Sequence, residues 1–234
     1  MKYVFDPEEQ VGIPVVGTRE LFPVRRVYCV GRNYAAHARE MGFDPDREPP
    51  FFFCKPDNSI VVVPRGETVG IPYPAQTSDF QHEIELVVAI GKSGHDIPIE
   101  EATRHVFGYA VGLDMTRRDL QMGAREKGRP WEPGKAFDAS APIGPIHRAS
   151  AIGHPTTGAI WVSVDGTDRQ RSDIAKLIWS VPEVIASLST LFELRPGDLI
   201  FTGTPEGVGK VERGQTMVGG IDGLGELSVR VIRQ

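Results

Sequence analysis

The chain has 234 residues and a formal net charge of −5, from 26 basic and 31 acidic side chains. This mild acidity argues against a nucleic-acid-binding protein, which usually concentrates positive charge on one face. No stretch approaches the roughly 20 apolar residues of a membrane span, and the first residues lack the apolar core of a signal peptide. Because only two cysteines occur, Cys29 and Cys54, we predict a cytoplasmic protein with reduced thiols that binds neither nucleic acid nor a membrane.

The order of apolar runs predicts a compact, strand-rich fold with few helices. Residues 1–22 show little pattern and are expected to form an arm along the surface. Strands are predicted at 24–30, 51–54, 59–63, 82–90, 106–113, 160–164, 199–202 and 225–232. Helices are predicted at 34–41, 99–104, 116–127 and 174–192, the third opening with a capping box of Thr116 and Asp119 and the fourth restarting at Pro182. The 19 prolines and 26 glycines, mostly between short strands, favour a mixed α+β fold.

Two glutamates stand two residues apart in the run His82-Glu83-Ile84-Glu85-Leu86, which continues as apolar residues to Ile90. Alternate side chains of a strand share one face, so the two carboxylates lie together, with α-carbons roughly 7 Å apart. An exposed edge strand is the alternative, but the unbroken apolar run after Leu86 indicates burial on both faces. Two buried carboxylates repel each other unless a cation lies between them, and an all-oxygen site suits Mg²⁺, Mn²⁺ or Ca²⁺.

A third carboxylate strengthens the prediction of a metal site. Asp114 ends the apolar run Val106–Leu113 and precedes a predicted helix. Ligand sites are commonly built at such strand ends.

His37 and Glu40 lie three residues apart on the predicted helix at 34–41, so they share a face. A histidine beside a carboxylate can serve as a general base that its partner orients. Spacing alone favours a solvated helical face. No second histidine follows at the spacing of a zinc-protease helix.

Three further segments carry polar groups whose role the sequence pattern alone does not decide. Arg118 and Gln121 are three residues apart on the helix after Asp114, and either face toward that carboxylate or form a surface pair. Lys135 is an isolated loop lysine, for which solvent exposure is the default. The run from Thr202 to Gly209 resembles an anion-holding turn, although it matches neither a P-loop nor a dinucleotide fingerprint.

Taken together, four motifs in this order resemble the fumarylacetoacetate hydrolase family, over about residues 24 to 233. They are Tyr28–Ala35, His82–Leu86, Gly108–Asp119 and Gly197–Pro205. Within the family, Glu40-Met41-Gly42, the run Asp44–Phe53 and the run Ile178–Glu183 are similar to bacterial members that act on fumarylpyruvate in aromatic degradation. Cys54 is a departure, because a leucine or threonine is expected before Lys55-Pro56; it concerns packing and leaves the ligands intact.

The resemblance implies a β-sandwich roll with a few short helices that usually dimerises, with a catalytic domain at 23–234. It implies Mg²⁺ or Mn²⁺ ligands at Glu83, Glu85 and Asp114, and a water-activating pair at His37 and Glu40 on a mobile lid, here about Arg32 to Pro50. The positions that hold the substrate's oxygen atoms are matched by Lys135, Arg118, Gln121 and Thr204.

The activity implied is metal-dependent hydrolysis of a carbon–carbon bond in a small 2,4-dioxo acid, with fumarylpyruvate cleaved to fumarate and pyruvate. Three enzymatic alternatives stay open: an oxaloacetate decarboxylase, an acylpyruvase acting on simpler acyl chains, and an isomerase of hydroxylated dienoates. A catalytically silent metal-binding dimer is the non-enzymatic alternative, and the intact His37–Glu40 pair argues against it. Fold resemblance alone does not separate these activities.

Overall fold

The computed structural model of the chain describes residues 3–40 and 48–233. The strands are Gly12–Pro14 (β1), Leu21–Pro23 (β2), Arg26–Gly31 (β3), Phe51–Lys55 (β4), Ile60–Val62 (β5), Thr68–Pro72 (β6), Phe80–His82 (β7), Ile84–Ile90 (β8), Val106–Leu113 (β9), Thr116–Arg117 (β10), Ala141–Ile143 (β11), His147–Arg148 (β12), Ala159–Val164 (β13), Thr167–Asp173 (β14), Asp198–Phe201 (β15), Gly209–Lys210 (β16), Thr216–Ile221 (β17) and Gly225–Ile232 (β18). The α-helices are Ala35–Glu40 (α1), Arg118–Glu126 (α2), Glu132–Lys135 (α3), Ala149–Ile152 (α4) and Val181–Leu191 (α5), and 3-10 segments occupy Asp57–Ser59, Ile99–His105 and Ile174–Lys176.

A central mixed sheet runs in the order β4-β3-β15-β8-β9-β11-β5, with β12 paired to β9. Strand β8 lies between β15 and β9, antiparallel to both, and all seven of its residues are buried. This explains its continuous apolar sequence, because a strand covered on both faces has no solvent face to keep polar. The predicted mixed α+β fold, rich in strands and with a few short helices, is confirmed.

The two faces of the central sheet contribute to two hydrophobic clusters. Even-numbered residues of β8, such as Leu86 and Val88, share a cluster with the second sheet, whose order is β14-β13-β17-β18-β6. Odd-numbered residues, Val87 and Ala89, pack on the other face with Val27 of β3 and with the hairpin formed by β1 and β2. Glu83 and Glu85 belong to the odd-numbered series, so their carboxylates lie on this second face.

The surface arm predicted for residues 1–22 agrees with only part of that segment in the structure. Residues 3–10 are exposed, but β1 and β2 pair with each other and bury Ile13, Val15 and Phe22 in the second hydrophobic cluster. The later part of the segment is therefore a hairpin that covers one face of the central sheet, a feature that the prediction did not include. Two three-residue strands separated by a turn are too short to give a periodic signal. The division of the chain at residue 23 stays a prediction.

Two predicted helix starts also need correction. Thr116 lies in β10 and not at a helix cap, since α2 begins at Arg118 with no side-chain cap. The Asp119 carboxylate accepts hydrogen bonds from Thr77 and Ser78 instead. The helix predicted at 174–192 is a 3-10 turn followed by α5, whose first turn holds Pro182, as predicted, behind a capping box of Ser180 and Glu183.

No helix within the described ranges is both long and apolar enough to cross a membrane.

Candidate metal centre and active site

Three carboxylates meet at the place where β8 begins and β9 ends. Glu83 lies just before β8 and opposite Asp114, which follows β9, and the Asp114 N–H donates to the Glu83 carbonyl at 2.8 Å. Glu85 lies opposite Gly112, where a side chain would collide with Phe201 and Val87. As a result, one carboxylate oxygen from each acid lies within 4.8 Å of the others, and all three residues are buried.

Two buried lysines and an arginine surround this acidic cluster of Glu83, Glu85 and Asp114. The Lys135 ammonium donates at 2.7 Å to Glu83 Oε2 and at 2.7 Å to Asp114 Oδ2. Lys55 Nζ lies 2.8 Å from Asp114 Oδ1, and the Arg118 guanidinium pairs with Glu83 Oε1.

Glu85 differs from the other two acids because its Oε2 accepts from a backbone donor, the Gly203 N–H at 2.8 Å. Burial, and then the charges of Asp114 and Glu83, raise the pKa of Glu85 well above its usual value. Burial also opposes ionisation of Glu83, but the Lys135 and Arg118 cations outweigh it, so the pKa of Glu83 is lowered. A hard divalent cation is the partner that would keep Glu85 ionised, and three converging carboxylate oxygens are the donors that Mg²⁺ and Mn²⁺ prefer. The residues therefore fit such an ion.

Lys135 is buried, against the exposure that its isolated place in the sequence suggests. It ends the single turn of α3, which packs so closely on α2 that a side chain at Gly134 would meet the Gln121 backbone at 2.7 Å. Burial lowers the pKa of its ammonium, but the Asp114 and Glu83 carboxylates outweigh that effect and raise it. The amine therefore stays charged. It also donates at 2.7 Å to the Thr116 hydroxyl, which in turn donates to Glu83 at 3.1 Å.

Lys55 is a buried cation that the sequence reasoning missed as a site residue. Besides its ion pair with Asp114, its Nζ donates to the Ser140 hydroxyl at 3.0 Å, the Met115 carbonyl at 3.3 Å and the Lys135 carbonyl. The available signal was the period of two in β4, which places Lys55 on the same face as Phe51 and Phe53.

His37 and Glu40 form the predicted pair on α1, with His37 Nδ1 3.2 Å from Glu40 Oε2. Glu40 also accepts from the Gly207 N–H at 3.1 and 3.2 Å, which ties the end of α1 to the loop after β15. The start of α1 is held by the buried Asn33, whose amide donates to the Thr202 carbonyl at 2.8 Å. Burial lowers the pKa of His37, so its imidazole is neutral at neutral pH. Part of the predicted lid, residues 41–47, lies outside the described residues.

Besides Lys135, the three other residues predicted to hold substrate oxygens are buried in the same region. Arg118 Nη1 donates to Gln121 Oε1 at 2.5 Å, so this pair is formed within α2. The Thr204 hydroxyl donates to the Ile84 carbonyl at 2.8 Å and accepts from Gln170 at 2.8 Å. Their assignment to substrate stays a prediction.

One pocket brings these side chains together. Of the predicted site residues, all except Glu40 line it: His37, Glu83, Glu85, Asp114, Arg118, Gln121, Lys135 and Thr204. Glu40 is not among the lining residues and is connected to the pocket through its pairing with His37. Three carboxylates that fit a cation, a neutral imidazole and a fixed ammonium on one cavity can support reactions that build up negative charge on a bound oxygen.

Comparison with known proteins finds relatives that match most of this chain. The chain is 67% identical to fumarylpyruvate hydrolase from Pseudomonas aeruginosa, whose crystal structure was solved with Mn²⁺ and pyruvate; the match covers 100% of both chains with a TM-score of 0.98. It is 45% identical over 188 residues to fumarylpyruvate hydrolase from Ralstonia sp, covering 80% of this chain and 95% of that protein. It is 41% identical over 209 residues to a mitochondrial oxaloacetate tautomerase from Arabidopsis thaliana, covering 89% and 92%.

The family described as "Fumarylacetoacetate (FAA) hydrolase C-terminal" matches residues 26–232, which is most of the chain. The resemblance drawn from the four sequence motifs is thereby confirmed, and the chain belongs to the fumarylacetoacetate hydrolase family.

Proposed function

We propose that this protein is a metal-dependent hydrolase that cleaves a carbon–carbon bond in a 2,4-dioxo acid, converting fumarylpyruvate to fumarate and pyruvate. The observation that carries the proposal is the position of neutral His37 on the same pocket as the acidic cluster. The similarity to two fumarylpyruvate hydrolases, at 67% and 45% identity, supports this choice of substrate.

Glu83, Glu85 and Asp114 would hold the ion, with Mg²⁺ or Mn²⁺ as the proposed metal. When bound, the ion would supply a Lewis acid that polarises the substrate's oxygen atoms. The ion's positive charge would also offset the burial and the repulsion by Asp114 and Glu83 that together raise the pKa of Glu85.

His37 is the proposed general base. Its Nδ1 is engaged with Glu40, which leaves the other ring nitrogen to take a proton from water. The hydroxide formed attacks the C4 carbonyl of the substrate, the C3–C4 bond breaks, and its electron pair stays on the pyruvate fragment as an enolate. The hydroxyl becomes part of a fumarate carboxylate, and C3 takes up a proton to give pyruvate.

Lys135 is proposed to stabilise the enolate as its charge develops. Its ammonium is buried and held by three hydrogen bonds of 2.7 Å, so little reorganisation is needed when negative charge appears nearby. Gln121, Arg118 and Thr204 are proposed to hold the remaining substrate oxygens from the pocket wall.

Conversion of oxaloacetate is the second candidate, because a relative with 41% identity is an oxaloacetate tautomerase. A reaction at C3 of oxaloacetate also passes through an enolate, so Lys135 and the acidic cluster would serve it equally. Neither tautomerisation nor decarboxylation of oxaloacetate uses water as a nucleophile, so the activation of water by His37 is the step that separates hydrolysis from this second candidate.

The test is a substrate panel with Mg²⁺ or Mn²⁺ present, in which fumarylpyruvate, acetylpyruvate and oxaloacetate are each followed by loss of the enol absorbance. We expect fumarylpyruvate to be turned over fastest, EDTA to abolish the activity, and added Mn²⁺ to restore it. Faster turnover of oxaloacetate than of either acylpyruvate would replace the hydrolase assignment with the second candidate.

We also propose that the protein works as a cytoplasmic homodimer in the degradation of aromatic compounds. The support is the family membership, since the family usually dimerises, together with the similarity to fumarylpyruvate hydrolases. Light scattering on the purified protein should give about twice the chain mass of 25.7 kDa. A mass equal to that of one chain would reject the dimer.

A further inference from the structure

An aromatic wall leads outward from the acidic cluster. Lys135 Nζ lies 5.3 Å from the centre of the Phe53 ring, and Phe53 packs against Trp131 with ring centres 5.9 Å apart. Trp131 meets Phe51 edge to face at 5.4 Å, and the guanidinium of Arg32 lies 5.1 Å from the Phe51 ring. The three rings thus connect the buried lysine at one end with an arginine at the other.

Helix α2 contributes a second set of side chains to the same pocket. Arg118, Gln121, Met122 and Arg125 are spaced as one helical face, and all four line the pocket. Arg118 is at the inner end, where it pairs with Glu83. Arg125 is seven residues further along, roughly 10 Å at 1.5 Å per residue, which is of the order of an extended seven-carbon diacid.

Arg32 and Arg125 therefore mark the outer part of the pocket from two different elements. Burial, and then the charge of Arg125, lower the pKa of Arg32, whereas the Glu48 carboxylate opposes the shift. Both guanidinium groups line the pocket, and the planar fork of a guanidinium matches the geometry of a carboxylate. Guanidinium also retains its charge at any physiological pH.

We propose that Arg32 and Arg125 form a subsite for the distal carboxylate of a dianionic substrate, whose conjugated chain lies along Phe53 and Trp131. The inference rests on the proposed function and names its specificity: the substrate is an acylpyruvate whose acyl group ends in a carboxylate. The acidic cluster and Lys135 act on the pyruvyl half, which all acylpyruvates share, so the arginine pair is what distinguishes fumarylpyruvate from acetylpyruvate.

The test compares two substrates in four variants: Arg32→Met, Arg125→Met and the two matching lysine variants. Each methionine variant should lower kcat/KM for fumarylpyruvate by about tenfold or more, mainly through KM, since a charge-assisted hydrogen bond to the substrate is lost. The value for acetylpyruvate, which lacks the distal carboxylate, should change by less than about threefold. Lysine should recover only part of the loss, because it keeps the charge but not the planar fork. Arg230→Met, an exposed arginine of β18, is the control.

Equal losses on both substrates, or no loss on fumarylpyruvate, would overturn the subsite. If the wild-type protein cleaves neither substrate, the proposed function fails, and calorimetric titration of the Mg²⁺-loaded protein with fumarate then tests the subsite separately. Weaker fumarate binding in both methionine variants, with Arg230→Met unchanged, would support it, and unchanged binding would reject it. Either variant alone suffices for this test if the other fails to fold.

Discussion

The acidic cluster and His37 line one pocket, but the elements that hold them differ. Glu83, Glu85 and Asp114 lie at the junction of β8 and β9, inside a sheet whose central strand is buried along its whole length. His37 and Glu40 lie on α1, which has only six residues.

This difference in anchoring matches the different roles proposed for the two groups. Isolated helices shorter than about 12 residues are marginal, so α1 depends on anchors such as Asn33 and the bond between Glu40 and Gly207. A cation site requires oxygen atoms held in position, which a sheet provides. A group that moves a proton requires only one correct contact at the right moment, and a short helix tied at both ends can provide that contact.

Removing one carboxylate from the acidic cluster, which the sheet holds in place, should have the largest effect on metal affinity and turnover. Glu85→Gln keeps the shape of the side chain but removes a charge that burial and the neighbouring carboxylates disfavour. We expect Mn²⁺ affinity to fall more than about 100-fold and turnover to drop to background. The metal-free protein should at the same time unfold at a higher temperature than the wild type. Calorimetric Mn²⁺ titration and thermal unfolding measure both effects, and unchanged Mn²⁺ affinity would exclude Glu85 as a ligand.

Removing the proposed base, His37 on α1, should lower activity without changing metal affinity. His37→Ala should lower fumarylpyruvate cleavage by about 10²- to 10⁴-fold, the usual contribution of general base catalysis, with Mn²⁺ affinity unchanged. Any oxaloacetate decarboxylation should fall less, because no water needs activation. His95→Ala, an exposed histidine paired with Asp96, is the matched control. Full hydrolytic activity in His37→Ala would show that the base is another group.

Replacing Lys55 tests whether the buried cations stabilise the acidic cluster. Lys55→Met leaves Asp114 with one ammonium partner instead of two. We expect the free energy of unfolding of the metal-free protein to fall by about 3 kcal/mol, as when a buried ion pair is broken. Lys92→Met, at an exposed lysine, is the control. Denaturant unfolding measures the change, and equal stability of the two variants would mean that Lys55 does not stabilise the cluster.

The smallest expected effect is a shift in pH dependence. The base must be neutral, and burial lowers the pKa of His37 from its usual value of about 6.5. Activity should therefore persist below pH 6.5 and be lost as the pH falls further through this lowered pKa. The bond to Glu40 raises the pKa of His37, so Glu40→Gln should move the acid limb of kcat/KM to still lower pH. An acid limb that moves upward in Glu40→Gln would contradict the proposed pairing.

Local periodicity accounts for the parts of the site that were predicted correctly in space. The spacing of two in a strand placed Glu83 and Glu85 on one face, and the spacing of three in a helix placed His37 within 3.2 Å of Glu40. Both geometries depend on the backbone of a single element, which residue type and spacing largely determine.

The sequence by itself determined the family and the strand-rich fold. It also determined that Glu83 and Glu85 share a strand face and that His37 and Glu40 share a helix face. Only the tertiary structure decided the burial of Lys55 and Lys135, the pairing of Arg118 with Glu83, and the covering of the sheet by the hairpin β1–β2. The physical reason is distance along the chain. Lys55 meets Asp114, and Lys135 meets Glu83, across more than 50 residues, and such contacts follow from how the elements pack, which no local pattern of residues encodes.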